Sequence, residues 1–233
     1  EVGEMGNNNI FGYNLKTKTE FQISDLGYAG YPAIYGDIVV WQDGFPLLGD
    51  DIYGYNLKTK TEFQITTDTF DQRYPAIYGD IVVWMGGEEG NWDIYGYNLK
   101  TKQEFQITDS GKANSPAIYG DIVVWQDDRN GNYDIYGYNL KTKQEFPICK
   151  EGGDQYSPAI YGDIVVWQDD RNGNYDIYGY NLKTGQEFPI CKEVGNQKHP
   201  AIYCDRVVWH DDRNDGGDIY IAYLDVVCET AKK

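Results

Sequence analysis

One short passage recurs along this chain every 41 to 43 residues, and that recurrence limits the fold more than any other feature. Pro-Ala-Ile-Tyr begins at Pro32, Pro75, Pro116, Pro158 and Pro200. Asp-Ile-Tyr-Gly-Tyr-Asn-Leu, or a near copy, begins at Asn9, Asp51, Asp93, Asp134, Asp176 and Asp218. Residues 115–150 and 157–192 differ only where Gly185 stands for Lys143. A unit of this length is one supersecondary piece that cannot cover its own apolar faces, so successive copies must stack.

Within the copy Pro116–Cys149, Ala-Ile-Tyr-Gly is a short β-rich segment ending in the turn signal Gly120-Asp121. Ile-Val-Val-Trp-Gln is β-branched and aromatic, which reads as a second strand. After the polar stretch 127–132, residues 134–140 alternate Ile135, Gly137 and Asn139 against Tyr136, Tyr138 and Leu140, a third strand of period two. Lys141-Thr142-Lys143 turns the chain into a fourth strand, Gln-Glu-Phe-Pro-Ile. No segment has helical periodicity. Pro147 and Pro189 interrupt the fourth strand, and proline sits in a sheet mainly at an edge, so that strand is the outer one and Ala-Ile-Tyr-Gly lies near the hub. Four-stranded sheets repeated radially form a propeller. Trp41, Trp84, Trp125, Trp167 and Trp209 recur at one position, and Phe21, Phe63, Phe105, Phe146 and Phe188 at another; such repeated aromatics are core pieces.

The core Trp-x-Asp-Asp-Arg-x-Gly-x-x-Asp-Ile-Tyr, at Trp125–Tyr136 and Trp167–Tyr178, resembles the TolB-like, WD-repeat-related propeller repeat, in the version found in archaeal cell-surface proteins. The resemblance covers nearly the whole chain. It implies a propeller and an envelope or secreted setting, but no activity, because this fold hosts many. The expected architecture is all-β: a five-bladed β-propeller of four-stranded antiparallel blades, forming one domain over residues 1–233. Its repeats span about 32–74, 75–115, 116–157 and 158–199, with 200–233 plus 1–31 forming a closing blade shared between the termini. Five blades need 20 strands and the pattern supplies 21, because Asn9–Leu15 and Asp218–Leu224 compete for the third place in the last blade. The surplus strand is an extra edge or an element for pairing with a neighbouring molecule.

A net charge of −17 and a pI near 4.4 argue against a nucleic-acid partner, whose phosphates this surface would repel. No apolar run approaches the ~20 residues of a membrane helix, so membrane insertion is not expected. The start at Glu1 rather than Met reads as a mature or trimmed product, or as part of a longer protein. Four cysteines do not make a disulfide scaffold at this length; Cys149 and Cys191 replace Thr66 and Thr108 on separate repeats, whereas Cys204 and Cys228 share one and could pair.

The strand order sorts loops onto two faces. One holds the constant Gly-Asp and Leu-Lys-Thr-Lys turns; the other holds loops that vary, and binding usually resides on variable loops over a rigid scaffold. A ligand site is therefore expected on the variable face near Asp43, Phe45, Glu88, Trp92, Arg129, Arg171 and Arg213. Asp128, Asn130, Asn132 and Asp134, and likewise Asp170, Asn172, Asn174 and Asp176, alternate oxygen side chains like the start of a calcium loop. Their glycine is misplaced and no bidentate glutamate follows, so the alternative is closure by side-chain hydrogen bonds. His199 and His210 would stand opposite each other across a Cys204-Asp205 turn, a pair able to bind zinc or copper. No cofactor other than calcium is suggested. The 37 acids make paired carboxylates uninformative, and no asymmetric catalytic set stands out, so an enzyme is not expected. The expected function is a non-enzymatic extracellular or cell-surface module for binding, adhesion or assembly, with a protein or glycan as partner. The alternatives are a polysaccharide hydrolase or lyase with its site at the hub, and a lattice or filament subunit that self-associates through the surplus edge strand.

Overall fold

A computed structural model describes residues 8–25, 27–45, 49–214 and 216–225, and every regular element among them is a β-strand. The chain divides into two compact units, Glu1–Asp109 and Ser110–Lys233. The first contains a hairpin of β1 (Phe11–Asn14) and β2 (Thr19–Gln22), followed by two four-stranded meanders. These are β3 (Ala29–Tyr35), β4 (Ile38–Phe45), β5 (Gly49–Asn56) and β6 (Thr61–Gln64), then β7 (Asp71–Tyr78), β8 (Ile81–Glu88), β9 (Asn91–Asn98) and β10 (Gln103–Gln106). The second contains β11 (Ala113–Tyr119), β12 (Ile122–Asp127), β13 (Asp134–Asn139) and β14 (Gln144–Cys149), then β15 (Gln155–Tyr161), β16 (Ile164–Asp169), β17 (Asp176–Asn181) and β18 (Gln186–Cys191). It ends in a three-stranded sheet, β19 (Gln197–Tyr203), β20 (Arg206–Asp211) and β21 (Asp218–Tyr223). Each sheet begins about three residues before the proline that opens the sequence repeat, so the residue preceding that proline lies inside a strand.

The same local chemistry builds every copy. The first turn places Gly36, Gly79, Gly120 and Gly162 at φ of 57 to 60°, with Cys204 holding this left-handed conformation in the last sheet. At the turn after the third strand, the Asn139 Oδ1 accepts the N–H groups of Lys141 and Thr142 at 2.9 and 3.0 Å, and Asn14, Asn56, Asn98 and Asn181 repeat this. The glycine of the third strand is needed because a Cβ at Gly137 would lie 2.7 Å from the Phe146 ring, which covers it from the fourth strand. Gly12 and Phe21 make the same pair in the hairpin. The strand Thr19–Gln22 is paired with β1, and of the two candidates for the third place of the last sheet it is β21 that pairs with β20.

The sheets pack through alternating faces. In the first unit Val40, Ile52 and Ile65 meet Ile77, Val82 and Trp84, and the hairpin's Ile10 and Ile23 meet Val39 and Trp41. In the second unit Val124, Ile135 and Ile148 meet Ile160, Val165 and Trp167, and Ile164, Val166 and Ile177 meet Val207 and Trp209. Trp41, Trp84, Trp125, Trp167 and Trp209 each stack on the third-strand tyrosine, as Trp125 does on Tyr136 at 6.2 Å. First strands of successive sheets lie side by side, β3 with β7, β11 with β15 and β15 with β19, while β6, β10, β14 and β18 are outer edges. The proline-based placement of the fourth strand thus matches the sheets.

Candidate functional site

In the unit Ser110–Lys233 the Trp-x-Asp-Asp-Arg loops close on themselves. Asp169 is fully buried and accepts the Trp167 indole N–H at 2.9 Å, the Arg171 amide at 3.0 Å, and two guanidinium hydrogen bonds. Arg171 reaches on to Glu187 at 2.7 Å and lies over the Tyr178 ring at 4.2 Å. Arg129 joins Asp127 to Glu145 in the same way, and Arg213 binds Asp211 over Tyr220. Burial pushes the Asp127 carboxyl up, but donors from Arg129, Ser110 and Trp125 hold it below the usual carboxylate value. Arg129, Arg171 and Arg213, expected near a ligand, are therefore engaged within the fold.

The two calcium-like stretches are assembled through N–H donors. The Asn130 amide donates to Asp134 Oδ2 at 2.8 Å and to the Tyr136 hydroxyl at 2.7 Å; Asn132 donates to Asp134 Oδ1 at 3.1 Å and to the Gly153 carbonyl at 2.7 Å. Asn172, Asn174 and Asp176 repeat the pattern. Asp170 accepts the Asp154 N–H at 2.6 Å, while the Asp128 carbonyl closes a turn onto the Gly131 N–H. Both oxygens of Asp134 and of Asp176 thus receive amide protons, the hydrogen-bonded alternative to a cation. No group of three or more His, Cys, Asp or Glu able to hold a metal occurs among the described residues.

The histidine pairing is corrected. His210 stands opposite Lys198, because the register shifts between Lys198 and Ala201 and leaves His199 on a bulge at φ 54°. Cys149 and Cys191 are free and buried, 3.0 Å from Arg171 and Arg213, and burial pushes the Cys149 thiol up to about 12. Such a thiol is a poor nucleophile at neutral pH. Cys204 is disulfide-bonded; its expected partner Cys228 lies outside the described residues.

The unit Glu1–Asp109 departs from the repeat at these same loops. Asp43 is buried and keeps the Trp41 indole bond at 3.2 Å, but Phe45 stands where Arg129 does, its backbone paired with Gly49. Burial raises the Asp43 carboxyl, and Asp50 and Asp25 add to this. Glu62, the counterpart of Glu145, is raised by burial and then by Asp25 and Asp43. In the next sheet Gly86 replaces the aspartate, and the Gln72 Oε1 takes the Trp84 indole N–H at 2.5 Å. Arg73 enters from β7, 2.8 Å from Asp50 and 2.6 Å from Asp71, over the Trp92 ring at 5.4 Å. Beside this network opens a cleft of about 420 Å³ lined by Gly49, Thr69, Phe70, Asp71, Gly87, Glu88 and Glu89.

Every first strand also carries a bulge at a residue with left-handed backbone: Tyr31, Tyr74, Ser115, Ser157 and His199, at φ of 50 to 55°. The preceding sheet pins three of them, with Gln42, Gln126 and Gln168 accepting the N–H groups of Tyr74, Ser157 and His199 at 2.7 to 2.9 Å. Tyr31 and Tyr74 meet edge to face at 4.6 Å. Of the residues expected at a ligand site, Glu88 and Trp92 belong to this surface; Tyr31, Phe70, Arg73 and Tyr74 lie in the variable loops 24–31 and 66–74 but were not singled out. The available signal was the changing residue before each Pro-Ala-Ile-Tyr.

No family model matches the chain, and no curated protein matches it. Its fold is shared with solved β-propeller structures. TolB from Acinetobacter baumannii superimposes at a TM-score of 0.68 with 18% identity over 91% of this chain. Oligogalacturonate lyase from Vibrio parahaemolyticus gives 0.70 with 16% identity over 93% of this chain and 72% of its own. The β-propeller domain of the Trilobed protease from Pyrococcus furiosus, described as having an open velcro topology, gives 0.61 with 14% identity over 84% of this chain and 68% of its own. The chain spans 56% of the length of the A. baumannii TolB structure. At these identities the likeness concerns the fold alone: an all-β chain of repeated four-stranded sheets, structurally similar to TolB and other β-propeller domains.

Proposed function

We propose that this protein is a non-enzymatic binding module, secreted or held at a cell surface, built as a closed five-bladed propeller that presents its ligand site on the variable face. The observation that carries the reading is the asymmetric cleft beside Phe70, Glu88 and Glu89. It opens where the repeat has lost the Trp-x-Asp-Asp-Arg loop that closes on itself elsewhere. Arg73 bridges Asp50 and Asp71, which leaves one net negative charge beside the lining Glu88 and Glu89, and this fixed, mutually bonded set suits recognition through hydrogen bonds rather than proton transfer. Ring closure would give the last sheet the cover it lacks: Ile219 is 73% exposed, whereas its counterparts Ile52, Ile94, Ile135 and Ile177 are fully buried. A second reading, assembly by strand addition, rests on the same exposed strand β21, which offers Ile219, Ile221 and Tyr223.

The test is binding of the purified chain to a glycan array and to cell-surface protein fractions, repeated with Phe70→Ser and with Glu88→Gln combined with Glu89→Gln. Retained ligand that is lost in these variants supports the reading. Turnover of a polysaccharide, or binding indifferent to these residues, overturns it.

A further inference from the structure

We propose that the left-handed bulge positions are where this protein reads its ligand, and that Tyr31 and Tyr74, with Asp50, Asp71 and Arg73, form a stacking site for a ring of a neutral glycan. This rests on the reading of the chain as a binding module and names the ligand class. A non-glycine residue in left-handed conformation is strained, and a following proline restricts it further. All five bulge residues precede proline, and glycine, which would relieve the strain, occupies none of them. Strain kept in every copy while the side chain changes from Tyr to Ser to His marks a position whose side chain matters more than its backbone comfort. The Gln42 side chain holds the Tyr74 N–H at 2.9 Å, so the backbone is set by the neighbouring sheet and the ring is left to face outward.

Tyr31 is 58% exposed and Tyr74 36%, and their rings meet at 4.6 Å. The electron-rich faces of such rings attract the C–H face of a sugar, while its hydroxyls need ordered donors and acceptors at the rim. Asp50, Asp71 and Arg73 supply both, with side chains 25, 28 and 37% exposed and already held in place by their mutual bonds. The charge of −17 and the adjacent Glu88 and Glu89 disfavour uronates and sulfated sugars. A protein partner would need an apolar area several times larger than two tyrosine rings.

The test is saturation-transfer NMR and calorimetry on the full chain with tetramers of β-1,4-glucose, β-1,4-N-acetylglucosamine and β-1,4-galacturonate, repeated with Tyr31→Gly and Tyr74→Gly. Binding of a neutral tetramer with tyrosine-ring contacts is expected, weakened about tenfold or more in each variant. The melting temperature of each variant is expected to hold or rise, because glycine removes the strain. Failure of both neutral tetramers to bind, preference for galacturonate, undiminished binding by the variants, or a fall in their melting temperature would each overturn the inference. Binding lost with Phe70→Ser but untouched by the tyrosine variants would sink this site and leave the binding-module reading intact.

Discussion

Lys143 and Gly185 are the one difference between two otherwise identical 36-residue stretches, and the structure gives it a meaning. Both residues adopt left-handed backbone, at φ 56° and 70°, where glycine bears no steric penalty. Lys143→Gly should therefore raise stability by about 0.5–1 kcal/mol, read as a higher urea midpoint with unchanged slope. Gly137→Ala should do the reverse, by about 1–3 kcal/mol, because its methyl group would meet the Phe146 ring. Acidity separates the two units. Burial raises Asp43, Asp51 and Glu62, so the folded chain binds their protons more tightly than the unfolded one. These groups favour folding in mild acid and lose that contribution as pH rises through their raised values. Asp127 and Asp211 are lowered, so their contribution is complete above about pH 4 and is lost as pH falls through their lowered values. Amide exchange, corrected for intrinsic rates, should show β3–β10 gaining protection between pH 7 and about pH 4.5, while β11–β21 hold theirs until below about pH 4.

At the scale of elements, the copies that begin at Pro116 and Pro158 are each tied together by one arginine, Arg129 or Arg171, and one glutamine, Gln126 or Gln168. Arg171→Ala would leave Asp169 buried and short of its cation, at a cost of about 3 kcal/mol, seen as a fall in thermal midpoint. Gln126→Ala would free the Ser157 N–H and cost about 1–2 kcal/mol, with faster exchange confined to the start of β15. The strands themselves were legible. Alternation along Ile135–Leu140 and the β-branched run Ile122–Trp125 fall within or beside β13 and β12, and Pro147 and Pro189 lie on outer strands. The bulges were not, since nothing in Ser157-Pro158 or His199-Pro200 announces a left-handed residue. Propensity would have placed glycine there. That one missed residue moved His199 off the position opposite His210.

Across the whole molecule, the proposed closed wheel predicts a monomer with a radius of gyration of about 17–18 Å by X-ray scattering, independent of concentration. A larger radius that grows with concentration would favour strand addition through β21. The repeat, the all-β class, the strand order within each sheet and the core tryptophans follow from the sequence by itself, because period and β-branching act over a few residues and recur in every copy. Which charged loops stay free was decided only in three dimensions. Arg129 is bound into its own repeat over Tyr136, while Arg73 bridges Asp50 and Asp71 beside an open cleft. The bond from Arg73 to Asp50, 23 residues away, settles that difference, and no local pattern encodes it.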